Sequence, residues 1–247
     1  MAEVDFNAIV DRLQDDADYY GDYGGQFLHN SDIYTLLNNP QDYGNKQSDT
    51  LPMLLGRAFH EMLLFNNHSQ PYIDASTRNT KIYKSELEDY DEEIVMLKKE
   101  YEQLSELKRA AQEHPVISDV LSTKGIKKEV PSAGYLTDNE IIWACKADIV
   151  TDDYIYDVKT TSSLSGFRHS SKTYNYDSQA YIYSTMFQRP MRFLVVEKGT
   201  GCIGLFDTSE EAYLRGREKV EQAEQLYIKY FRDKKDDVLN HYTHGTI

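Results

Sequence analysis

The sequence predicts a single α/β domain that spans residues 1–247 and carries a helical N-terminal elaboration. Three observations support this fold class. Hydrophobic residues make up 40% and aromatic residues 12% of the 247 residues, enough to fill a sizeable core. Helical spacing dominates residues 1–123, whereas strand-like segments cluster within residues 124–235. We therefore expect a mainly helical first part followed by an α/β core.

Helical periodicity identifies the elements of the first part. Four segments have apolar residues at helical spacing: residues 3–14, 31–39, 48–66 and 84–112. Asn30 or Ser31 would cap the second segment, and Pro40 would end it. Residues 15–29 and 67–83 are polar and are expected to be irregular.

The longest predicted helix, residues 84–112, carries an apolar stripe along one side. Its members are Ile94, Leu97, Tyr101, Leu104 and Leu107. Such a stripe on a charged helix indicates a solvated helix that packs on one face. Pro115 begins a further short helix, PVISDVL.

Strand character begins after residue 124. Five segments rich in β-branched and aromatic residues are predicted strands: residues 126–131, 141–150, 154–160, 192–198 and 202–207. The turn sequence TDD at 151–153 joins the second and third strands as a hairpin. An amphipathic helix is expected at residues 175–188, and Ser209 would cap a final helix that runs to about Arg232.

Composition excludes several classes of protein. Cys145 and Cys202 are the only cysteines and lie in no Cys/His cluster, which excludes a structural zinc site or an iron–sulfur cluster. No stretch approaches the roughly 18 apolar residues of a membrane span, and the N-terminus lacks the apolar region of a signal peptide. The net charge of −14 by itself argues against nucleic acid, because Lys and Arg dominate phosphate binding.

Several charged residues are expected to converge at the turn end of the hairpin. Asp157 and Lys159 are two positions apart on a strand, so their side chains share a face at a spacing of about 7 Å. Asp148 ends the preceding strand and lies near Asp157, and Glu129 on the strand before could join them. Converging carboxylates suit Mg²⁺, and a nearby lysine can orient water or neutralise developing charge. The alternative for the D-x-K pattern alone is an exposed ion pair worth under about 1 kcal/mol.

Five sequence segments occur in an order that matches a known superfamily. They are SDIYTLLNNPQDY, GRAFHEMLLF, the pair KADIV and YDVKTTSS, YDSQAYIY, and FLVVEKG followed by AYLRGREKVEQA. Together they cover about residues 30–232. This order resembles the PD-(D/E)xK nuclease superfamily, most closely its RecB/RecE-like branch with the phage recombination exonucleases. The resemblance implies a restriction-endonuclease-like core, in which helices flank a central mixed β-sheet.

The resemblance also implies a role for each matching position. Asp148 and Asp157 would bind the metal, and Lys159 would be the catalytic lysine. His60 would face the metal from a helix, and Val158 would provide a backbone-carbonyl ligand. The implied cofactor is Mg²⁺ or Mn²⁺. A satisfied core histidine is the ordinary alternative for His60.

Gln179 and Tyr183 resemble a helix pair that supports the catalytic site and contacts DNA. Their i, i+4 spacing places both on one helix face, as this role requires. Each residue also has a purely structural interpretation. Gln179 could belong to a buried polar network, and Tyr183 could be an ordinary core residue. Thr160 and Thr161 either bind phosphate or simply end the strand.

Two groups of basic residues flank the hairpin in sequence and predict a positive rim for DNA. The first group is Lys124, Lys127 and Lys128, and the second is Arg168, His169 and Lys172. A local rim of this kind would reconcile an acidic protein with DNA, and it predicts strong salt dependence of binding.

The favoured function is a Mg²⁺-dependent exonuclease that degrades linear double-stranded DNA in phage-type recombination or replication. The resemblance alone implies 5′-to-3′ polarity, a ring-shaped homo-oligomer and a partner single-strand annealing protein. No membrane partner is expected, and we expect a cytoplasmic location in a bacterial host or phage-infected cell. Two alternatives remain: an endonuclease or nuclease component of a helicase or repair complex, and an inactive DNA-binding module of the same fold.

Overall fold

The computed structural model describes residues 4–45, 48–66, 70–90 and 92–242. Among the described residues, the chain begins with the α-helices α1 (Phe6–Arg12), α2 (Asp16–Tyr19), α3 (Asn30–Asn38) and α4 (Leu51–Phe65). Residues 15–29 were expected to be irregular, and this prediction is wrong because they include α2. The Asp15 carboxylate accepts the Ala17 N–H and so caps α2.

The predicted helix that ends at Pro40 is confirmed as α3, but its cap differs from the prediction. His29 is the N-cap residue, whereas Asn30 is already helical. The Asp32 carboxylate accepts the His29 N–H at 2.7 Å, one half of a capping box. The side chain at the third helical position therefore supplies the polar contact that was expected from Asn30 or Ser31.

The predicted helix at 84–112 is interrupted, and this prediction is wrong in its first half. The chain forms β1 (Tyr72–Ile73), α5 (Lys81–Leu87), β2 (Met96–Leu97) and α6 (Lys98–Glu113). Strands β1 and β2 pair in parallel. The Tyr83 hydroxyl donates to the Val95 carbonyl and accepts the Val95 N–H, at 2.8 and 2.9 Å. These contacts satisfy backbone groups that a continuous helix would have paired internally.

The short predicted helix at Pro115 is confirmed as α7 (Pro115–Leu121), after which a five-stranded sheet begins. Its strands are β3 (Lys127–Tyr135), β4 (Ile142–Val150), β5 (Ile155–Thr161), β6 (Met191–Glu197) and β7 (Ile203–Asp207). They lie in sequence order, with β5 and β6 parallel and the other neighbours antiparallel. The sheet is therefore mixed, as predicted. Strand β3 extends beyond the predicted end because an edge strand tolerates Pro131.

Three helices complete the second half: α8 (Phe167–Thr173), α9 (Tyr176–Phe187) and α10 (Glu210–Tyr227). Helices α9 and α10 confirm two predictions, whereas α8 was not predicted. Asn175 has a φ of 56° and separates α8 from α9. The Ser209 hydroxyl accepts the Ala212 N–H and caps α10, as expected.

Helices cover both faces of the sheet, so the sheet has two cores. Phe193 and Val195 on β6 face a core shared with α3, α9 and α10, whereas Leu194 and Val196 face α4, α6 and α7. This alternation follows from the period of two along a strand. Within the described residues, no helix combines the length and apolar character that a membrane span requires.

Strands β4 and β5 separate soon after their connecting turn. Paired residues occur only at Ile149–Tyr156 and Val150–Ile155. Farther from the turn, β5 no longer pairs with β4. There Trp143 of β4 pairs with Leu28, which precedes α3. The sheet therefore opens into a fork at Asp148, and the candidate site lies at this fork.

Candidate active site

Asp157 and Lys159 lie on β5 and share the side that faces α9. The Lys159 Nζ is 2.7 Å from Asp157 Oδ2. The Gln179 amide, which reaches the pair from α9, donates to Asp157 Oδ1 at 2.5 Å. Only 2% of Asp157 is exposed. Because the carboxylate is buried and is contacted by the donors of Lys159 and Gln179, its orientation is fixed. The predicted D-x-K pair is therefore an oriented ion pair between a buried carboxylate and a partly exposed ammonium.

Asp148 occupies the fork between β4 and β5. Its Oδ2 accepts the Val158 N–H at 2.7 Å. This side-chain contact replaces the strand-to-strand hydrogen bond that is lost where the two strands part. The same contact fixes the backbone around Val158, the residue expected to offer its carbonyl to a metal.

His60 approaches the fork from α4, on the face of the sheet opposite Gln179. Its Nε2 lies 3.1 Å from Glu129 Oε1 and 3.3 Å from Asp148 Oδ2. Glu129 has a φ of 51° within β3, although both neighbours pair regularly with β4. This left-handed conformation interrupts the ladder at Glu129, whose carboxylate lies beside His60.

Burial and neighbouring charges shift the pKa values of these groups. Burial raises the pKa of Glu129 to about 7 and raises the pKa of Asp157 above its ordinary value. Burial disfavours the charged form of His60, but the carboxylates of Asp148, Glu129 and Asp157 raise its pKa to about 9. Burial likewise opposes ionisation of Asp148, yet His60 and Lys159 lower the Asp148 pKa below its ordinary value. The cluster is thus rich in carboxylate and favours cations.

The donor set fits a divalent cation. One ligand atom each from His60, Glu129 and Asp148 lie within 4.8 Å of one another. The His60 Nε2 is buried, and no directed hydrogen bond reaches it from the described residues. The carboxylate oxygens of Glu129 and Asp148 suit Mg²⁺ or Mn²⁺, which prefer oxygen-rich sites, and His60 would add one nitrogen ligand. Asp157, which was also predicted to bind the metal, is outside this group of three, and its carboxylate pairs with Gln179 and Lys159.

The fork opens into a cleft with a volume of about 1070 Å³. His60, Glu129, Asp148, Val158 and Lys159 are among the residues that line it. Thr160 and Thr161, predicted either to bind phosphate or to end the strand, also line this cleft. The Thr161 hydroxyl donates to the Ser163 carbonyl at 3.0 Å, so it also shapes the end of β5.

Gln179 and Tyr183 lie beneath the floor of the cleft. Exposed fractions of 6% and 8% leave little of either side chain accessible. The Tyr183 hydroxyl donates to the Lys146 carbonyl at 3.2 Å, and Gln179 holds Asp157. Both side chains are placed to support the site, whereas neither is among the residues that line the cleft where DNA would lie.

The basic residues predicted to form a positive rim do not line the cleft. Lys124 and Lys127 are exposed on the approach to β3, and Arg168 and Lys172 are exposed on α8. The Lys128 ammonium donates to the Leu64 carbonyl at the end of α4. DNA contact by these residues stays a prediction, and it would have to occur outside the cleft.

Other basic side chains line the cleft, and the sequence reasoning missed them. They are Arg57, Lys146 and Lys198, joined by the aromatic ring of Tyr176, which lies 5.1 Å from the Lys159 ammonium. Lys146 had a usable signal, because it precedes Asp148 by two residues and must share its strand face. Lys198 and Tyr176 had none, since separate elements bring them to the cleft.

Fold and site together define a class of protein. A mixed sheet covered by helices on both faces carries Asp148, Asp157 and Lys159 at the point where two strands separate. This is the PD-(D/E)xK nuclease fold that the sequence motifs predicted. The chain belongs to the family of PDDEXK-like domains of unknown function (DUF3799), whose family model matches residues 34–235.

One solved structure agrees with this fold, and a second aligns only weakly. The crystal structure of a "putative exonuclease" from Eubacterium rectale aligns with a TM-score of 0.63 at 13% identity, covering 94% of this chain and 95% of that one. A phage-related exonuclease from Haemophilus somnus 129PT aligns at 14% identity over 84% of this chain and 96% of its own, with a TM-score of 0.34. Only the first match supports the fold. No curated protein matches the chain significantly.

Proposed function

We propose that the chain is a metal-dependent DNA exonuclease that hydrolyses phosphodiester bonds in linear double-stranded DNA. One observation carries the proposal: His60, Glu129, Asp148 and Lys159 line one open cleft, and the buried carboxylate of Asp157 pairs with Lys159 beside them. A structural ion-pair network of this size would ordinarily be closed to solvent. Here the buried charges face a space large enough for a polymer backbone.

The residues divide into those that would hold a divalent cation and those that would act on the substrate. His60, Asp148, Asp157 and the Val158 carbonyl would hold Mg²⁺ or Mn²⁺, and the geometry adds Glu129 to this group. When bound, such a cation would supply Lewis-acid stabilisation of the phosphoryl oxygens and a more acidic water.

Lys159 would act on the reacting phosphate. Its side chain is 23% exposed, and its ammonium is fixed by Asp157 on one side and the Tyr176 ring on another. A fixed ammonium at the cleft floor can donate a hydrogen bond to the attacking water or to a phosphoryl oxygen. Burial disfavours the charged form, but Asp157 and Asp148 raise the pKa of Lys159, so the group donates rather than accepts a proton.

Gln179 would act through Asp157 and not on the substrate. Its amide occupies one carboxylate oxygen of Asp157, which leaves the other oxygen for Lys159 and the cation. Hydrogen bonds of this kind orient metal-binding carboxylates and are worth about 10- to 100-fold in affinity or activity.

The wider biological setting remains part of the proposal. We infer a role in phage-type recombination or replication, with 5′-to-3′ degradation, a ring-shaped homo-oligomer and a single-strand annealing partner. The sequence resemblance supports these features. The net charge of −14 favours a ring, because it leaves each subunit little positive charge with which to hold DNA. An enclosing ring retains DNA by topology and so needs less positive charge on each subunit.

A nuclease assay with three DNA forms tests the proposed activity. Purified protein is incubated with end-labelled linear, nicked and closed-circular DNA, with Mg²⁺ or with EDTA. We expect loss of linear DNA only, in Mg²⁺ only. The variants Asp157→Asn and Lys159→Ala should lose this activity, whereas Asp153→Asn, an exposed change in the neighbouring turn, should retain it.

Two results would overturn the exonuclease. Cutting of closed circles would indicate the endonuclease. Absence of cutting with Mg²⁺ and with Mn²⁺, by protein that still binds DNA, would indicate the inactive binding module.

A further inference from the structure

Lys146 is a buried cation on the wall of the candidate active-site cleft. It lies on β4 two residues before Asp148, and its side chain is only 3% exposed. Its ammonium lies 2.5 Å from Asp16 Oδ1 and 4.4 and 5.5 Å from the rings of Tyr19 and Tyr20. The proposed hydrolytic mechanism makes no use of this group.

Asp16, the ion-pair partner of Lys146, is exposed to solvent, whereas Lys146 is buried. Asp16 is the first residue of the four-residue helix α2, and its side chain is 75% exposed. A buried ammonium needs a counter-charge, because removing an unpaired charge from water is costly. An exposed carboxylate on a short surface helix gains little from the pairing and can rotate into solvent. The counter-charge is therefore one that another anion can replace.

Asp16 lies on the wall of the cleft. Asp16, Tyr20, Lys146 and Lys159 all line the same space. The carboxylate oxygen of Asp16 accepts from the Lys146 ammonium as a phosphodiester oxygen would, since both are anionic oxygen acceptors. A nucleic-acid backbone that contacted Lys146 from this cleft would compete with the Asp16 carboxylate for its ammonium.

The surrounding segment is strongly acidic. Residues 5–22 contain six aspartates and Arg12 as the one basic residue. Arg12 already pairs with Asp18 at 2.9 Å. Asp16 is the aspartate of this segment that lines the cleft. An acidic segment set against a phosphate-binding cleft opposes the entry of a polyanion.

We propose that Lys146 binds a backbone phosphate of the nucleic-acid substrate and that Asp16 occupies this phosphate position in the free protein. The inference rests on the proposed nuclease function and extends it, because it assigns a substrate-positioning residue and a built-in competitor. DNA binding then includes an exchange in which a phosphodiester oxygen displaces the Asp16 carboxylate from Lys146. The affinity measured for DNA is reduced by the strength of the pair that must first be broken.

A double-mutant cycle on DNA affinity tests this exchange. The probe is a short fluorescein-labelled blunt duplex, and its anisotropy is measured in EDTA across a series of salt concentrations. Asp16→Asn should tighten binding by about threefold to tenfold at low salt, because the competitor is lost. Lys146→Ala should weaken binding about tenfold and reduce the salt slope by about one. The double variant should bind DNA no more tightly than Lys146→Ala alone.

Two controls separate exchange from general effects of charge and folding. Asp22→Asn removes an equal charge from an exposed position in the same segment and should leave the affinity unchanged. Lys146→Arg keeps the cation and should retain most of the affinity that Lys146→Ala loses. Melting temperatures of all variants show whether a loss of binding follows from unfolding.

Several results would overturn the proposal. One is equal tightening by Asp16→Asn and Asp22→Asn, which would indicate nonspecific repulsion. Another is tightening by Asp16→Asn that persists in Lys146→Ala. A third is a lowered melting temperature for Asp16→Asn with unchanged affinity, the result expected of a purely structural pair.

The two proposals fail in distinguishable ways. If the protein binds DNA with the predicted cycle but hydrolyses none, the nuclease proposal fails and the assignment of Lys146 stands. If it hydrolyses DNA and the cycle shows no coupling, the assignment of Lys146 alone fails.

Discussion

At the scale of single residues, Glu129 shows how the site is built at the expense of local stability. A non-glycine residue in the left-handed region costs about 1–3 kcal/mol, and Glu129 also lies opposite Asp148 on the neighbouring strand. Both penalties are ordinarily avoided in a strand. Their presence beside His60 is consistent with the cation site that we propose there.

Replacement of Glu129 by glycine should separate these two effects. Glu129→Gly removes the strained side chain, so the free energy of unfolding in EDTA should rise by about 1 kcal/mol. It also removes the carboxylate that we propose as a ligand, so Mn²⁺ affinity measured by calorimetric titration should fall at least about tenfold. Glu140→Gly is a matched control, because Glu140 has a φ of 56° outside the site. Equal Mn²⁺ affinities in the two variants would show that Glu129 is not a ligand.

Removal of the Gln179 amide tests its indirect role. Gln179→Ala frees one oxygen of Asp157, so we expect a loss of about 10- to 100-fold in the rate of linear-DNA degradation. Mn²⁺ affinity should fall together with the rate, since Asp157 is less well oriented. Gln222→Ala, an exposed change on α10, should alter neither quantity. A loss of rate at unchanged Mn²⁺ affinity would contradict positioning through Asp157.

The sequence could predict the part of the site that depends on strand periodicity. Asp157 and Lys159 share a face because they are two residues apart, and the TDD turn brings Asp148 near them. The position of Glu129 depends on one left-handed backbone angle that no local pattern indicates. The route of Gln179 to Asp157 depends on how α9 crosses the sheet, which is a tertiary property.

At the scale of elements, α9 and α10 are in close contact at one glycine. A Cβ on Gly216 would lie 2.1 Å from the Asp177 carbonyl oxygen, so α10 would have to move away from α9. Gly216→Ala should lower the free energy of unfolding by about 1–3 kcal/mol in denaturant titrations. Gly56→Ala is the control, because Gly56 on α4 has open space and gains helix propensity of up to about 1 kcal/mol. Stabilisation by both changes would contradict close packing of α9 on α10.

Helix α10 is also joined to the sheet through a buried carboxylate. Glu224 is fully buried and accepts hydrogen bonds from Trp143 Nε1 at 2.7 Å, from Asn139 at 2.8 Å and from Thr137. Glu224→Gln replaces one acceptor oxygen with a donor, so at least one of these bonds is lost at a cost of about 1–3 kcal/mol. Trp143 is the single tryptophan, so intrinsic fluorescence reports both the transition and any local change. An unchanged midpoint and spectrum would show that the network contributes nothing.

Some elements could be predicted from local sequence, and others could not. The hairpin, α9 and α10 follow from turn residues and apolar spacing that agree with their tertiary packing. The apolar residues keep helical spacing in the sequence through Ile94 and Leu97. The chain is nevertheless extended at Met96–Leu97, because β2 pairs with β1. That pairing joins segments more than twenty residues apart, so it is invisible to a local pattern.

At the scale of the whole molecule, we expect residues 1–247 to unfold in one step. The two cores lie on opposite faces of one sheet, and alternate residues of β6 belong to each. Neither helical layer can leave without exposing apolar residues of the strands beneath it. Calorimetry should therefore give equal calorimetric and van't Hoff enthalpies. Two separate transitions would instead indicate that the N-terminal part and the α/β core are independent domains.

The short strands β1 and β2 have a consequence for how this chain tolerates changes in length. The chain leaves the body of the protein at Ile73 and returns at Met96, beside its point of departure. Between them, Ile73, Tyr83, Val95 and Leu97 form a small core of their own. Insertions or deletions within this excursion would leave the path into α6 unchanged. It is therefore a suitable place to graft a tag or fluorophore.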